Sequence, residues 1–226
     1  MKTEKQTGRL MGGLLLAAML LGLWNNFGLT TAIFAEPGWL QNGAQVPTLF
    51  GASAVLGIVT SLMMMAAAIL AWPILRRNSP SLALAYVMLS AIVVATSAVE
   101  QANFLAMRAL SLQYAKNPGL DPALFELMRG MVGAARHGIH YIDKLIGGTS
   151  VFLLFLAMFR SNLVPRIIPT LGLVAAPIQM VGICSALFIQ PMNLAVLAPI
   201  ALMLLVLSLT LLLRGFTLNA AALPAV

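Results

Sequence analysis

Residues 49–75 run for 27 positions without a single Asp, Glu, Lys or Arg. About 20 apolar residues suffice for a helix to cross a hydrocarbon core of about 30 Å, and a segment this long and uncharged has no ordinary place in a water-facing fold. Residues 10–34, 167–189 and 194–213 are uncharged in the same way. Charged residues make up 8% of the 226-residue chain and hydrophobic ones 61%, against roughly 25% and 45–50% in soluble domains. The chain therefore reads as an all-α polytopic membrane protein. Soluble, disordered, collagenous and disulfide-framework classes are excluded. The single Cys184 has no internal partner for a disulfide. The net charge of +7 would suit a nucleic-acid binder, but the placement of the basic residues marks topology instead, so no nucleic-acid partner is expected.

Turn chemistry divides residues 1–226, read as a single transmembrane domain, into a six-transmembrane-helix bundle with spans at about 10–34, 49–75, 81–114, 122–159, 167–189 and 194–213. Lys2, Lys5 and Arg9 before the first stretch raise the question of a secretory signal. The stretch is too long for a signal h-region, and Ile33 is bulky for the position three before a cleavage site, so it reads as an uncleaved first helix. Glu36-Pro37-Gly38 and Gln41-Asn42-Gly43 break the chain before the second span. Ser79-Pro80 and Asp121-Pro122 are both cap-then-proline signals that start the third and fourth helices. Arg160 to Arg166 and Gln190-Pro191-Met192-Asn193 supply the remaining turns. Pro169, Pro177 and Pro199 are candidate kinks in the last two spans, as hinges or static bends.

Basic residues fix the expected orientation. Lys2, Lys5, Arg9, Arg76, Arg77, Arg160, Arg166 and Arg214 fall on one side of the spans, whereas the connecting loops on the other side hold only Lys116. Cytoplasmic loops carry the Lys and Arg excess, so both termini are expected in the cytoplasm (N-in/C-in). The third and fourth helices, at 34 and 38 residues, would be roughly 50 Å or longer at 1.5 Å per residue. They are expected to project on the outer side as an antiparallel hairpin carrying Arg108, Lys116, Asp121, Glu126 and Arg129, with tilt or a kink at Gly133 as the alternative.

Counting from the basic ends places polar residues of three helices at one depth. Lys144, Asp143 and His140 lie 16, 17 and 20 residues before Arg160, Glu100 lies 19 beyond Ser81, and Asn25 and Asn26 lie 16 and 17 beyond Arg9. These intervals correspond to roughly 24–30 Å along each helix. Ionisable groups at such a depth face the bundle interior, a partner or water. Arg136, His137, His140, Asp143, Lys144 and Gly147 follow three- and four-residue steps, as do Thr96, Ser97, Glu100 and Asn103 or Phe104. The two stripes are expected to face each other, with Glu100 the partner of His140, Arg136 or Lys144. Asp143 and Asn25 or Asn26 would complete an outward-opening polar pocket for a small ligand or ion. The plainer reading is local ion pairing and snorkelling towards water.

Several chemistries fit these residue types. His137-x2-His140-x2-Asp143 with Glu100 offers two imidazoles and two carboxylates, a set suited to Zn or Fe in a metal-dependent intramembrane enzyme acting on a lipid or other apolar substrate. The narrower trio of His140, Asp143 and Glu100 serves equally as a proton relay or a counter-ion, because histidine titrates near neutral pH. A bis-His haem would need two copies of the chain, and the 14 methionines are read as apolar filling rather than copper ligands. No Walker or dinucleotide fingerprint occurs. Gln179, beside Pro177, is placed to reach the pocket from below. Three plus three spans would suit an inverted repeat, although the sequence shows none. The expected partners are the lipid bilayer, a small ligand or ion, a periplasmic protein docked on the hairpin if the chain is an interaction subunit, and a second copy in a homo-oligomer.

The residues Ser81-Leu-Ala-Leu-Ala-Tyr-Val-Met with Glu100 following, His140-Tyr-Ile-Asp143, and Phe159-Arg-Ser-Asn-Leu-Val-Pro-Arg166 carry a resemblance. From about residue 81 to 172 the chain resembles the bacterial membrane family named domain of unknown function 4386. The resemblance implies a multi-span protein of the bacterial inner membrane and no particular reaction. It also implies acidic site residues at Glu100 and Asp143. The family's Arg shortly after the helix-three Tyr is replaced here by Met88-Leu-Ser-Ala, so no role for that Arg carries over.

Overall fold

Proline occupies the first or second position of four of the long helices, because its missing N–H would be unpaired in the first turn anyway and its φ is already helical. The computed structural model describes residues 2–119, 121–188 and 194–217. In chain order they form α1 (Lys2–Trp24), a π-helical turn (Asn25–Leu29), α2 (Thr31–Phe34), α3 (Trp39–Asn42), α4 (Pro47–Leu75), α5 (Pro80–Lys116), α6 (Pro122–Ser161) and α7 (Ile167–Phe188). A 3₁₀ turn (Leu194–Leu197) leads into α8 (Ala198–Arg214). No strand occurs among the described residues. Six helical segments are long and apolar enough to cross a membrane; the last five lie within two residues of the stretches expected from sequence, and the first begins at Thr3, seven residues before position 10. The expected turn at Gln190 to Asn193, and Ile189 before it, lie outside the described residues.

The start signals are only partly used. Asp121 caps α6 by accepting the N–H of Ala123 at 2.9 Å. Ser79 occupies the cap position of α5, yet its side chain makes no capping bond there. Pro199 sits in the first turn of α8 and so begins that helix instead of kinking it. Pro177 remains inside α7.

The six long helices close into a ring. Each packs on the next in sequence, α1 on α4, α4 on α5, α5 on α6, α6 on α7 and α7 on α8, and α8 returns to α1. Closure depends on Gly8 and Gly12, one turn apart on α1. A Cβ at Gly8 would overlap the backbone nitrogen of Phe216, and one at Gly12 the backbone nitrogen of Leu212. Small residues at this spacing let two helix backbones touch, which is how helices associate where lipid removes the hydrophobic drive.

Arg9 and Arg77 lie at one end of this ring. There Arg77 pairs with Glu4, Arg9 donates to the Leu213 carbonyl at 3.1 Å, and the N–H of Thr217 reaches the Leu163 carbonyl at 2.9 Å. A large apolar core fills this half, with Met11, Leu75, Tyr86, Leu154, Phe155 and Met158 at 2% exposure or less. Gly172 of α7 lies against the Phe155 ring, where no side chain would fit. The opposite half holds a smaller cluster of Ile33, Trp39, Leu40, Phe50, Phe104, Met107, Leu110 and Phe125. At 37 and 40 residues, α5 and α6 outrun α7 and α8, which have 22 and 17. Their overhang is not bare, because α3 packs on α5 and Ser111 Oγ donates to the Leu40 carbonyl at 2.7 Å. α6 continues as one helix through Gly133.

Candidate functional site

Between the two apolar clusters the ring encloses a cavity of about 270 Å³. Its walls come from α1 and the π-helical turn (Leu15, Ala18, Met19, Gly22, Asn25, Asn26), α4 (Gly57, Thr60, Ser61, Met64), α5 (Val93, Ser97, Glu100, Gln101), α6 (His140, Asp143, Lys144) and α8 (Leu204). The three- and four-residue spacing of Ser97, Glu100 and Gln101, and of His140, Asp143 and Lys144, is what turns each set to one face. The two stripes meet, because α5 and α6 are packed antiparallel neighbours.

Two ion-pair groups share the cavity wall. Glu100 Oε1 accepts from His140 Nδ1 at 2.7 Å and from Arg136 Nη2 at 3.4 Å. Bonding to the carboxylate assigns the ring proton to Nδ1, which leaves Nε2 of a neutral His140 as an acceptor. One step along, Asp143 accepts from Thr96 Oγ1 at 2.6 Å and from Lys144 Nζ at 3.0 Å. The Glu100 and Asp143 side chains are 8% and 6% exposed, while that of Lys144 is 41% exposed. Lys144 and the exposed Asn26 therefore mark the mouth of the cavity. Arg136 lies outside the lining. Its guanidinium sits 5.9 Å from the ring centres of both Phe34 and Phe104, tying Glu100 to the second apolar cluster.

The facing wall is shaped by a feature not visible in the sequence pattern. The N–H of Thr30 bonds to the Asn25 carbonyl five residues back, at 3.1 Å, so one residue bulges from the first span. Asn25 Nδ2 donates to the Ser53 carbonyl of α4 at 3.3 Å, and Asn26 Nδ2 to the Gly22 carbonyl at 2.9 Å. Both partners are carbonyls, so each amide must present its N–H there and keep its oxygen for other donors. Asn25 Oδ1 is buried without a hydrogen-bond partner.

The structure thus brings together Glu100, His140, Asp143, Lys144, Asn25 and Asn26, and sets Arg136 immediately behind Glu100. Lys144 partners Asp143 rather than Glu100. His137 is exposed and lies outside the cavity lining. Among the described residues no three His, Cys, Asp or Glu side chains form a group able to hold a metal ion. The expected four-ligand set is separated because three-residue steps carry His137 and Asp143 apart around the helix. Gln179 does not line the cavity and lies near Gly148 instead. Gln101, Thr60 and Ser61 of the lining were missed by the sequence reading. For Gln101 the available signal was its position four residues after Ser97 on the same stripe.

The family model described as domain of unknown function 4386 (DUF4386) matches residues 10–215. No curated protein and no solved structure matches the chain.

Proposed function

The chain belongs to the family of the domain of unknown function 4386, and from the geometry of its cavity we propose that it is a membrane protein that binds, and carries across or senses, a small polar ligand. One observation carries the reading. A cavity within the membrane-spanning ring is lined by Glu100, His140, Asp143 and Lys144 on one side and by Asn25 and Asn26 on the other. Ionisable groups at such a depth are costly, and a structure held only by apolar packing would not require these six polar side chains around a void. Glu100 and Asp143 hold the charge pattern, the His140 ring beside Glu100 is the group suited to exchange a proton, and Asn25 and Asn26 orient the ligand. The basic end faces the cytoplasm, which puts both termini inside, and the overhang of α5 and α6 on the outer side of a bacterial inner membrane.

Against the metal-dependent enzyme, His137 is exposed outside the cavity lining, and among the described residues no three His, Cys, Asp or Glu side chains form a group able to hold a metal ion. The test is a thermal-stability screen of the purified full-length chain against a library of small polar metabolites, run in parallel on Gly22→Leu. Gly22 lines the cavity, and a Cβ there meets nothing within 4 Å, so the variant narrows the void without a clash at its first atom. At least one compound should raise the unfolding temperature of the natural chain and not of the variant, by mass action on the folded state. A library in which no compound distinguishes the two overturns the proposal.

A further inference from the structure

The ion pairs of the α5 and α6 wall leave part of its hydrogen-bonding capacity unused. Glu100 takes both of its bonds on Oε1, and His140 spends Nδ1 on that oxygen. Glu100 Oε2 and His140 Nε2 have no partner among the described residues, and neither atom is sealed from a water-sized molecule. Gln101, the next residue along α5, goes further: its side-chain oxygen and nitrogen both lack a partner among the described residues, and both are open in the same way. Its amide lies over Gly57 of α4, where a Cβ would stand 2.7 Å from Gln101 Nε2. Glu100, Gln101, His140 and Gly57 all line the cavity. Ion pairing accounts for Glu100, His140, Asp143 and Lys144, whereas an amide without a partner contributes no bond to the fold.

Those free atoms define what would complete them. Gln101 offers N–H donors and an acceptor oxygen, Glu100 Oε2 and a neutral His140 Nε2 only accept, and Lys144 keeps N–H groups beyond the one given to Asp143. Hydroxyl groups suit such a mixed set, because each donates and accepts from a single atom that turns freely. Charge narrows the class. Both signs line the void, so an anion would meet the free oxygen of Glu100 and a cation the ammonium of Lys144. Resting on the cavity reading above, we infer that the ligand is a small uncharged polyol, and that Gln101 is the residue that selects for its hydroxyl groups. Those hydroxyls bond to Gln101, Glu100 Oε2 and His140 Nε2, and the C–H face lies on Leu15, Met19, Met64 and Leu204. At about 30 Å³ for each water in the liquid, the cavity of about 270 Å³ has the volume of roughly nine waters, which suits a polyol of about four to six carbons.

The experiment uses the purified full-length chain in lipid nanodiscs. Erythritol and sorbitol are the polyols. Of the sorbitol analogues, 1,6-hexanediol keeps the carbon chain and only the two end hydroxyls, glucamine carries an ammonium in place of one of them, and gluconate carries a carboxylate at one end. A site built to bond hydroxyls rejects an analogue without them, because its own polar atoms are then left unpaired. Calorimetric titration should show saturable binding of erythritol or sorbitol, with hexanediol, glucamine and gluconate each at least about tenfold weaker than the better of the two. Gln101→Leu should weaken that polyol by at least about tenfold and leave the unfolding temperature of the ligand-free chain no lower, since the amide bonds to nothing there. Should Gln101→Leu not fold, Gly57→Ala decides in its place: the new methyl displaces the Gln101 amide and touches no ionisable residue, and it should weaken the polyol in the same way. Glucamine or gluconate binding as tightly as the polyol overturns the inference, as does the absence of polyol binding or undiminished binding by the deciding variant. If the metabolite screen finds ligands sensitive to Gly22→Leu and all carry net charge, the polyol fails while the binding cavity stands. If no compound in that screen distinguishes the two proteins, the cavity reading itself has failed.

Discussion

His140 Nδ1 and Glu100 Oε1 lie 2.7 Å apart although 40 residues separate them in the chain, and Arg136 Nη2 approaches the same oxygen at 3.4 Å. One carboxylate thus holds two groups of α6 against α5.

Removing that carboxylate strands a cation. Glu100→Gln is expected to destabilise the chain by roughly 3–5 kcal/mol, the usual cost of leaving one partner of a buried pair uncompensated. Arg136→Met in the same background should restore part of the loss. Unfolding in mixed micelles across the double-mutant cycle measures it; strictly additive losses would show that the two groups act independently.

Lys144 is a milder case. Its side chain is 41% exposed, so its pairing with Asp143 is partly solvated, and Lys144→Met is expected to cost about 1 kcal/mol. The same unfolding assay checks the order: a Lys144→Met loss as large as that of Glu100→Gln would contradict the placement of Lys144 at the mouth.

Ring closure should fail when α1 cannot approach α8. Gly12→Leu forces a side chain into the backbone of Leu212 and is expected to cost at least the roughly 1–3 kcal/mol of an overpacked core. Gly13→Leu, one position away and facing only the tip of the Leu212 side chain at 3.7 Å, should cost little. Similar losses for the two would mean that the α1–α8 contact does not support the ring.

Orientation is tested by reporter fusions. A fluorescent protein joined after Arg214 should fold and fluoresce, and alkaline phosphatase joined after Lys116 should be active, because the basic ends of the helices are expected to stay in the cytoplasm. The reverse pattern would invert the topology and place the overhang of α5 and α6 inside.

Much of the site was legible because depth along a helix is counted in residues. A rise of 1.5 Å per residue aligns Asn25, Glu100, His140 and Asp143 before any fold is known, and three- and four-residue steps collect them on faces. Partner choice was not legible, since Arg136, His140 and Lys144 all stand on the face that meets Glu100. Which of them bonds depends on the rotation of α6 against α5, and the structure gives Lys144 to Asp143 and the other two to Glu100. The shape of the wall that carries Asn25 and Asn26 was hidden for a related reason, because the π-helical turn after Trp24 depends on one backbone bond, from Thr30 to Asn25.

Sequence by itself determined the membrane class, the six apolar segments, the grouping of basic residues at alternate turns and the common height of the polar residues along their helices. Each of these follows from local composition and helix geometry. Only the tertiary structure decided that α8 closes on α1 through Gly8 and Gly12, that His140 lines the cavity while His137 lies outside it, and that the void lies between two apolar clusters. Those depend on how helices rotate and pack against one another, and packing joins residues that the chain keeps far apart.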